Sequence, residues 1–165
     1  MKNALRVIND LKREKVIQDY AIGGAVGALF YSEPAFTQGL DILVAFPESA
    51  GLFLSLAPIY EALKLKGYRA DREYLVIEGI YVQFLPANDP LLAEALTAAV
   101  TKRYDGLPVR VMRAEHLLAI ALQTGRPKDK ARVSLLMEQA EIDRPYLDGI
   151  LGRFDLMGVF EKWMN

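Results

Sequence analysis

The chain has 165 residues, no cysteine, a single histidine and a formal net charge of -1. That composition excludes disulfides, thiolate catalysis, thiolate metal sites and any zinc or catalytic centre that needs two histidines. It argues against a broad cationic face for duplex nucleic acid, while leaving room for a local basic patch.

A hydrophobic fraction of 52% and a charged fraction of 25% suit a globular domain with a real core. The longest uncharged runs, Ala21–Ser32 and Ser49–Tyr60, are about a dozen residues, against roughly 20 for a membrane helix. The start, MKNALRVINDLKREK, is too densely charged for a secretory leader. The expectation is a soluble, cytoplasmic protein with no membrane partner.

Leu5, Ile8 and Leu11 at helical spacing predict an amphipathic helix over 3–15. Tyr20–Ile22 reads as a short strand ending at Gly23-Gly24, followed by a small-residue helix over Ala25–Tyr31 and a loop at Pro34. The apolar strand around Asp41 comes next. Leu52, Leu56, Ile59 and Leu63 mark a helix ending near Gly67, with Pro58 in its first regular turn. Tyr74–Ile77 and Ile80–Leu85, joined by Glu78-Gly79, form a hairpin pattern.

Pro90–Val100 reads as a helix and Val109–Met112 as a further strand. From Arg113 the pattern is helical: one helix to about Gln123 stopping at Gly125, one opened by Pro127 through about Ala140, and two short amphipathic helices to the end. The sum is an α+β fold. A small mixed sheet flanked by helices spans residues 1–112, and a helical part, residues 113–165, packs on it, so the two count equally well as one domain.

Asp41 is the residue that asks for an explanation. It lies in TQGLDILVAF, a stretch apolar enough to be buried on both faces, where an ionised carboxylate is costly without a partner. By itself it reads as a strand-start acid accepting backbone N–H groups. Gly23-Gly24 alone reads as a tight turn with φ > 0.

Together they say more. The order helix, short strand, Gly-Gly, helix, Thr loop, strand with Asp, and later hairpin strand resembles the nucleotidyltransferase superfamily. The closest resemblance is to the minimal and abortive-infection types of bacteria. It covers roughly residues 15–140 and rests on Gly23, Gly24 and Ala25, then Thr37-Gln38-Gly39-Leu40-Asp41. It implies a nucleoside triphosphate in a cleft, with Gly23, Gly24 and Thr37 near its phosphates. It also implies Mg²⁺ held by acids at alternate strand positions, which face the same way and can hold two ions about 4 Å apart.

The chain departs from that pattern at three places. Gly39 stands at the first acid position, Gln83 where a third acid would project, and Ala35 where many relatives carry an Arg. One carboxylate of three is left, so Asp41 is the sole candidate catalytic and metal-binding acid, for a weakly held Mg²⁺ that arrives with a nucleotide.

A second signal is GRPKDKAR, residues 125–132. Arg126, Lys128 and Lys130 crowd a helix N-terminus whose dipole disfavours cations, and no Ser, Asn or Asp precedes Pro127 as a cap. Either an anion binds there, a triphosphate or an RNA backbone contacted by Arg126 and Lys128, or Asp129 offsets the charges on a solvated helix start. In the resembled family this region lies on the helices that close the nucleotide cleft.

His116 reads as a structural or surface residue. Tyr60, Tyr68, Tyr74, Tyr81 and Phe84 read as core and hairpin packing. The stripe through Trp163 reads as core, with a homodimer as the alternative. Three functions follow: a nucleotide-binding protein with weak or lost nucleotidyl transfer, an active magnesium-dependent transferase acting on a protein or RNA, and a non-catalytic interaction module such as half of a toxin–antitoxin pair.

Overall fold

A computed structural model describes residues 1–34, 37, 39–47 and 55–165. Ala35 and Leu52 lie outside the described residues. Seven strands form one mixed sheet in the order β3-β4-β5-β2-β1-β7-β6. β1 (Asp19–Gly23) and β2 (Leu40–Ala45) run antiparallel at its centre. β2 pairs in parallel with β5 (Ile80–Pro86), and β1 in parallel with β7 (Leu107–Val111). The edges are two hairpins, in which β3 (Arg69–Asp71) and β4 (Tyr74–Ile77) meander to β5, and β6 (Val100–Tyr104) returns to β7.

Alternation along β2 divides the interior. Leu40, Ile42 and Val44 belong to one apolar cluster, with Leu5, Ile8 and Leu11 of α1 (Lys2–Arg13) and Ile59 and Leu63 of α3 (Ala57–Leu65). Leu43, with Ala21, belongs to a second cluster on the opposite face. That cluster joins α4 (Pro90–Thr97), α5 (Ala114–Thr124) and α6 (Pro127–Gln139) to α7 (Arg144–Arg153) and α8 (Met157–Met164). The C-terminal helices and the sheet therefore share one continuous core. Leu147, Ile150, Leu151 and Phe160 are buried in it, and Trp163 packs against it. No helix among the described residues is long and apolar enough to cross a membrane.

Several boundaries differ from the sequence expectation. The helix begun at Pro90 ends at Thr97, and Val100, expected as its last residue, opens β6. The strand expected over Val109–Met112 starts two residues earlier and ends at Val111. The small-residue helix, α2, is regular only over Gly24–Ala28. Two edge strands, β3 and β6, had no counterpart in the sequence reading.

Candidate functional site

Register sets the site. Gly23 lies opposite Asp41 across β1–β2, and Asp41 lies opposite Gln83 across β2–β5. The three form a row over the middle of the sheet, on the face covered by the C-terminal helices. Side chains on one strand face alternate with a period of two, so Leu43 and Leu85 follow Asp41 and Gln83 on that face. All five residues line a cleft.

The cleft has two lobes. The inner lobe, about 400 Å³, is walled by apolar side chains that include Met112 and Leu117, with Gln123 and Thr124 on the polar side. The outer lobe, about 730 Å³, lies between the start of β2, the β4 hairpin and α6, and is bordered by Thr37, Gly39, Tyr74 and Lys128. Asp41, Gln83, Arg126 and Arg132 border both lobes. The sizes are those of small-molecule sites.

The diglycine turn is packed tightly against Asp41. Gly24 has φ +57°, and a Cβ there would collide with Asp41 Oδ2, so glycine is required twice over. A Cβ on Gly23 would stand 2.7 Å from Met112 Cε. Gly23 and Gly24 thus form a floor beneath the Asp41 carboxylate and the Met112 methyl. Thr37 Oγ1 donates to the Gly39 carbonyl at 2.7 Å and accepts from Gly39 N at 3.2 Å, closing a local turn that feeds β2.

Asp41 has no hydrogen bond or ion pair among the described residues. Burial pushes its carboxyl above the ordinary aspartate range, and the charges of Arg132, Lys128 and Arg126 offset part of that rise. The single acid of the row therefore faces a group of cations.

Two of those cations, Arg126 and Arg132, are held by Asp129. Its carboxylate is wholly buried and accepts Arg126 Nε at 2.7 Å, Arg126 Nη2 at 3.1 Å and Arg132 Nη1 at 3.1 Å. It also accepts the backbone N–H of Arg126 at 3.1 Å. The missing cap before Pro127 is thereby supplied from within the helix. The crowding of cations at this helix start needs no outside anion for its relief. Lys128 is exposed and has no acceptor among the described residues.

Sequence reasoning did not single out Arg132. Its position four residues after Lys128, on the same helix face, was the available signal. The burial of Asp129 had no sequence signal beyond its place at N3.

The row offers a divalent ion few donors among the described residues. Among the described residues no group of three or more His, Asp or Glu side chains stands close enough to hold an ion. Gln83 offers an amide oxygen beside one carboxylate, and hard cations favour carboxylates and several waters.

His116 is wholly buried, away from this site. Its Nε2 bonds Glu94 Oε1 at 3.0 Å, and Glu94 is also bound by Arg153 at 2.6 Å. It ties α5 to α4, and its reading as a structural residue stands.

No protein-family model matches the sequence, and no curated protein matches it. Solved structures do share the fold. One is an antigenic nucleotidyltransferase-like protein from Paracoccidioides brasiliensis, with TM-score 0.64 and 15% identity over 97% of this chain and 91% of that one. The solution structure of the antibiotic-resistance factor ANT(2'')-Ia gives TM-score 0.60 and 12% identity over 96% and 93%. The crystal structure of ANT(2'')-Ia in complex with adenylyl-2''-tobramycin gives 0.57 and 13% over 94% and 98%. The chain has the fold of nucleotidyltransferase-like proteins.

Proposed function

We propose that the cleft binds a nucleoside triphosphate and that nucleotidyl transfer is weak or lost. The observation that carries this reading is one acid, Asp41, facing Arg126, Lys128 and Arg132 across a cleft of nucleotide size. Two arginines and a lysine suit a polyphosphate, because guanidinium forks bind phosphate oxygens bidentately and an ammonium adds a point charge. The fold is that of ANT(2'')-Ia, a protein solved with an adenylylated product. Gly23, Gly24 and Thr37 are assigned to the floor and rim near the phosphates. Any Mg²⁺ ion that arrived with the phosphates would meet a single carboxylate of the row, Asp41, with glycine and glutamine where its companions would stand.

The test has two arms. ATP, GTP, CTP and UTP are added with Mg²⁺ to the full chain while thermal unfolding is followed. A nucleotide at about 100 times its Kd adds about 2.7 kcal/mol, a rise of about 5–10 °C for a chain of this size. In the second arm, labelled nucleotides are offered with candidate protein and RNA acceptors. A thermal shift without labelled product supports the proposal. No shift with any of the four removes it, and a magnesium-dependent labelled product that Asp41→Ala abolishes replaces it with the active-transferase reading.

A further inference from the structure

We infer that Arg132, Lys128 and Arg126 take the place of divalent ions, so that the cleft holds a nucleotide's phosphates without metal. This rests on the nucleotide reading above and concerns what neutralises the phosphates.

Two features of the sheet stand against a metal. At Gly39 a Cβ would lie 2.6 Å from the Tyr81 carbonyl oxygen. The first acid position is thus closed by the backbone of β5, and a carboxylate there requires that strand to move. At the facing position on β5, Gln83 carries no charge. The site is built around one acid.

Opposite that acid stand three cations, two of them fixed by the Asp129 carboxylate. Lys128 and Arg132 are four residues apart on α6, which places them on one helix face. Arg132 has only 16% of its side chain exposed. It gives Nη1 to Asp129, which leaves other N–H groups of its planar fork for an anion. Arg126 is clasped by the same carboxylate, so both guanidinium groups are ordered before any ligand arrives, which lowers the entropy lost on binding.

Asp129 offsets part of the charge of Arg126 and Arg132. A dication placed beside Asp41 still meets these arginines and Lys128 as like charges, whereas a polyphosphate meets them as charges of opposite sign. The polyphosphate is most negative when it carries no Mg²⁺, so the free nucleotide is the better ligand. Glu73, on the hairpin side of the outer lobe, confines the anion to the α6 side.

Calorimetric titration of the full chain with ATP, GTP, CTP and UTP in turn, once in EDTA and once in excess Mg²⁺, tests the inference. The Kd in EDTA should equal or fall below the Kd in Mg²⁺. Lys128→Gln should weaken binding in EDTA about tenfold, the loss of one charged hydrogen bond. Asp41→Asn should tighten binding in both buffers, since it removes an anion from beside the phosphates. Loss of binding in Mg²⁺ would instead mark an ion bridging the phosphates to that carboxylate and overturn the inference. Lys128 carries the test because its side chain is exposed, while removing Arg132 would uncover buried Asp129.

Binding that appears only with Mg²⁺ overturns this inference and leaves the nucleotide reading standing, as does an unchanged Kd for Lys128→Gln. Failure of ATP, GTP, CTP and UTP alike to bind in either buffer removes both.

Discussion

Gly39 faces the carbonyl oxygen of Tyr81 so closely that a side chain at 39 has no room, its Cβ falling 2.6 Å from that oxygen. Backbone cannot swing aside as a flexible side chain can, so the strain falls on the β2–β5 pairing. Gly39→Asp should destabilise the fold by about 1–3 kcal/mol, the range for forced overpacking. Gln83→Asp puts a second carboxylate directly opposite Asp41, a like-charge pair that should cost roughly 0.2–1 kcal/mol, less than the strain at 39. Urea unfolding of the two single variants checks this. Equal midpoints would mean that β5 yields freely and that position 39 is open to an acid.

Asp41 is expected to cost stability rather than add it. Burial raises its carboxyl, and the charges of Arg132, Lys128 and Arg126 only partly oppose the rise. A group whose folded pKa is raised stabilises the fold while protonated, and that contribution is lost as pH rises through the raised value. At neutral pH the ionised form is a burden, so Asp41→Asn should raise the Tm. A gain of 1 kcal/mol corresponds to about 2–4 °C. The advantage of the variant should shrink as the buffer is acidified towards the ordinary aspartate range. Scanning calorimetry of both chains at neutral and acid pH is the measurement, and a lower Tm for Asp41→Asn at neutral pH would contradict it.

Asp129 is the opposite case. Burial pushes its carboxyl up, but the side-chain and backbone hydrogen bonds of Arg126, with the charges of Arg126 and Arg132, outweigh that and hold it below the ordinary range. Its stabilising share is present above the unfolded aspartate value of about 3.9 and is lost as pH falls through the depressed folded one. Asp129→Ala leaves two cations without their buried partner and the α6 start without its cap. The expected loss is about 3–5 kcal/mol, as for other buried pairs broken on one side. The variant should also lack the part of the acid-unfolding slope below about pH 4 that Asp129 supplies. Urea unfolding over that range reads both effects, and a loss under about 1 kcal/mol would show that the clasp is not structural.

The central strands and the α5–α6 break were legible because their signals are local. β1 and β2 are apolar runs bounded by glycine and by a Thr turn, and Gly125 caps α5 in the left-handed region with φ 72° just before Pro127. The hairpin at Glu78-Gly79 was legible for the same reason, both residues having positive φ.

Asp105-Gly106 is the same kind of turn, with φ of 49° and 81°, and it joins β6 to β7. It was missed because Thr101, Lys102 and Arg103 make β6 a polar edge strand with no apolar run, and an adjoining helix pattern absorbed Val100. Within the site, Asp41 and the α6 cations were visible as charges in unfavourable places. The closure of position 39 and the burial of Asp129 were not, because each depends on how far two distant segments approach each other. No spacing within one segment encodes that distance.

His116 supplies a pH dependence of its own. Its ring is buried, with Nε2 against Glu94 Oε1 at 3.0 Å and Nδ1 without a partner among the described residues. Burial lowers its pKa, with the Arg113 charge adding to that. The hydrogen bond and charge of Glu94 and the charge of Glu115 pull the other way without cancelling it. Arg153 holds Glu94 ionised, so neutral His116 donates from Nε2. Below the ordinary histidine value of about 6.5, the unfolded chain takes up a proton that the folded ring refuses, and stability falls as pH drops from there to the depressed value. Above about 6.5 the term is flat. His116→Gln keeps a donor for Glu94 but cannot titrate, so it should be less stable than the native chain at about pH 7.5 and lose less on going to about pH 5. Urea unfolding of both chains across that interval is decisive, and parallel stability curves would show that the ring takes up its proton in the fold as easily as outside it.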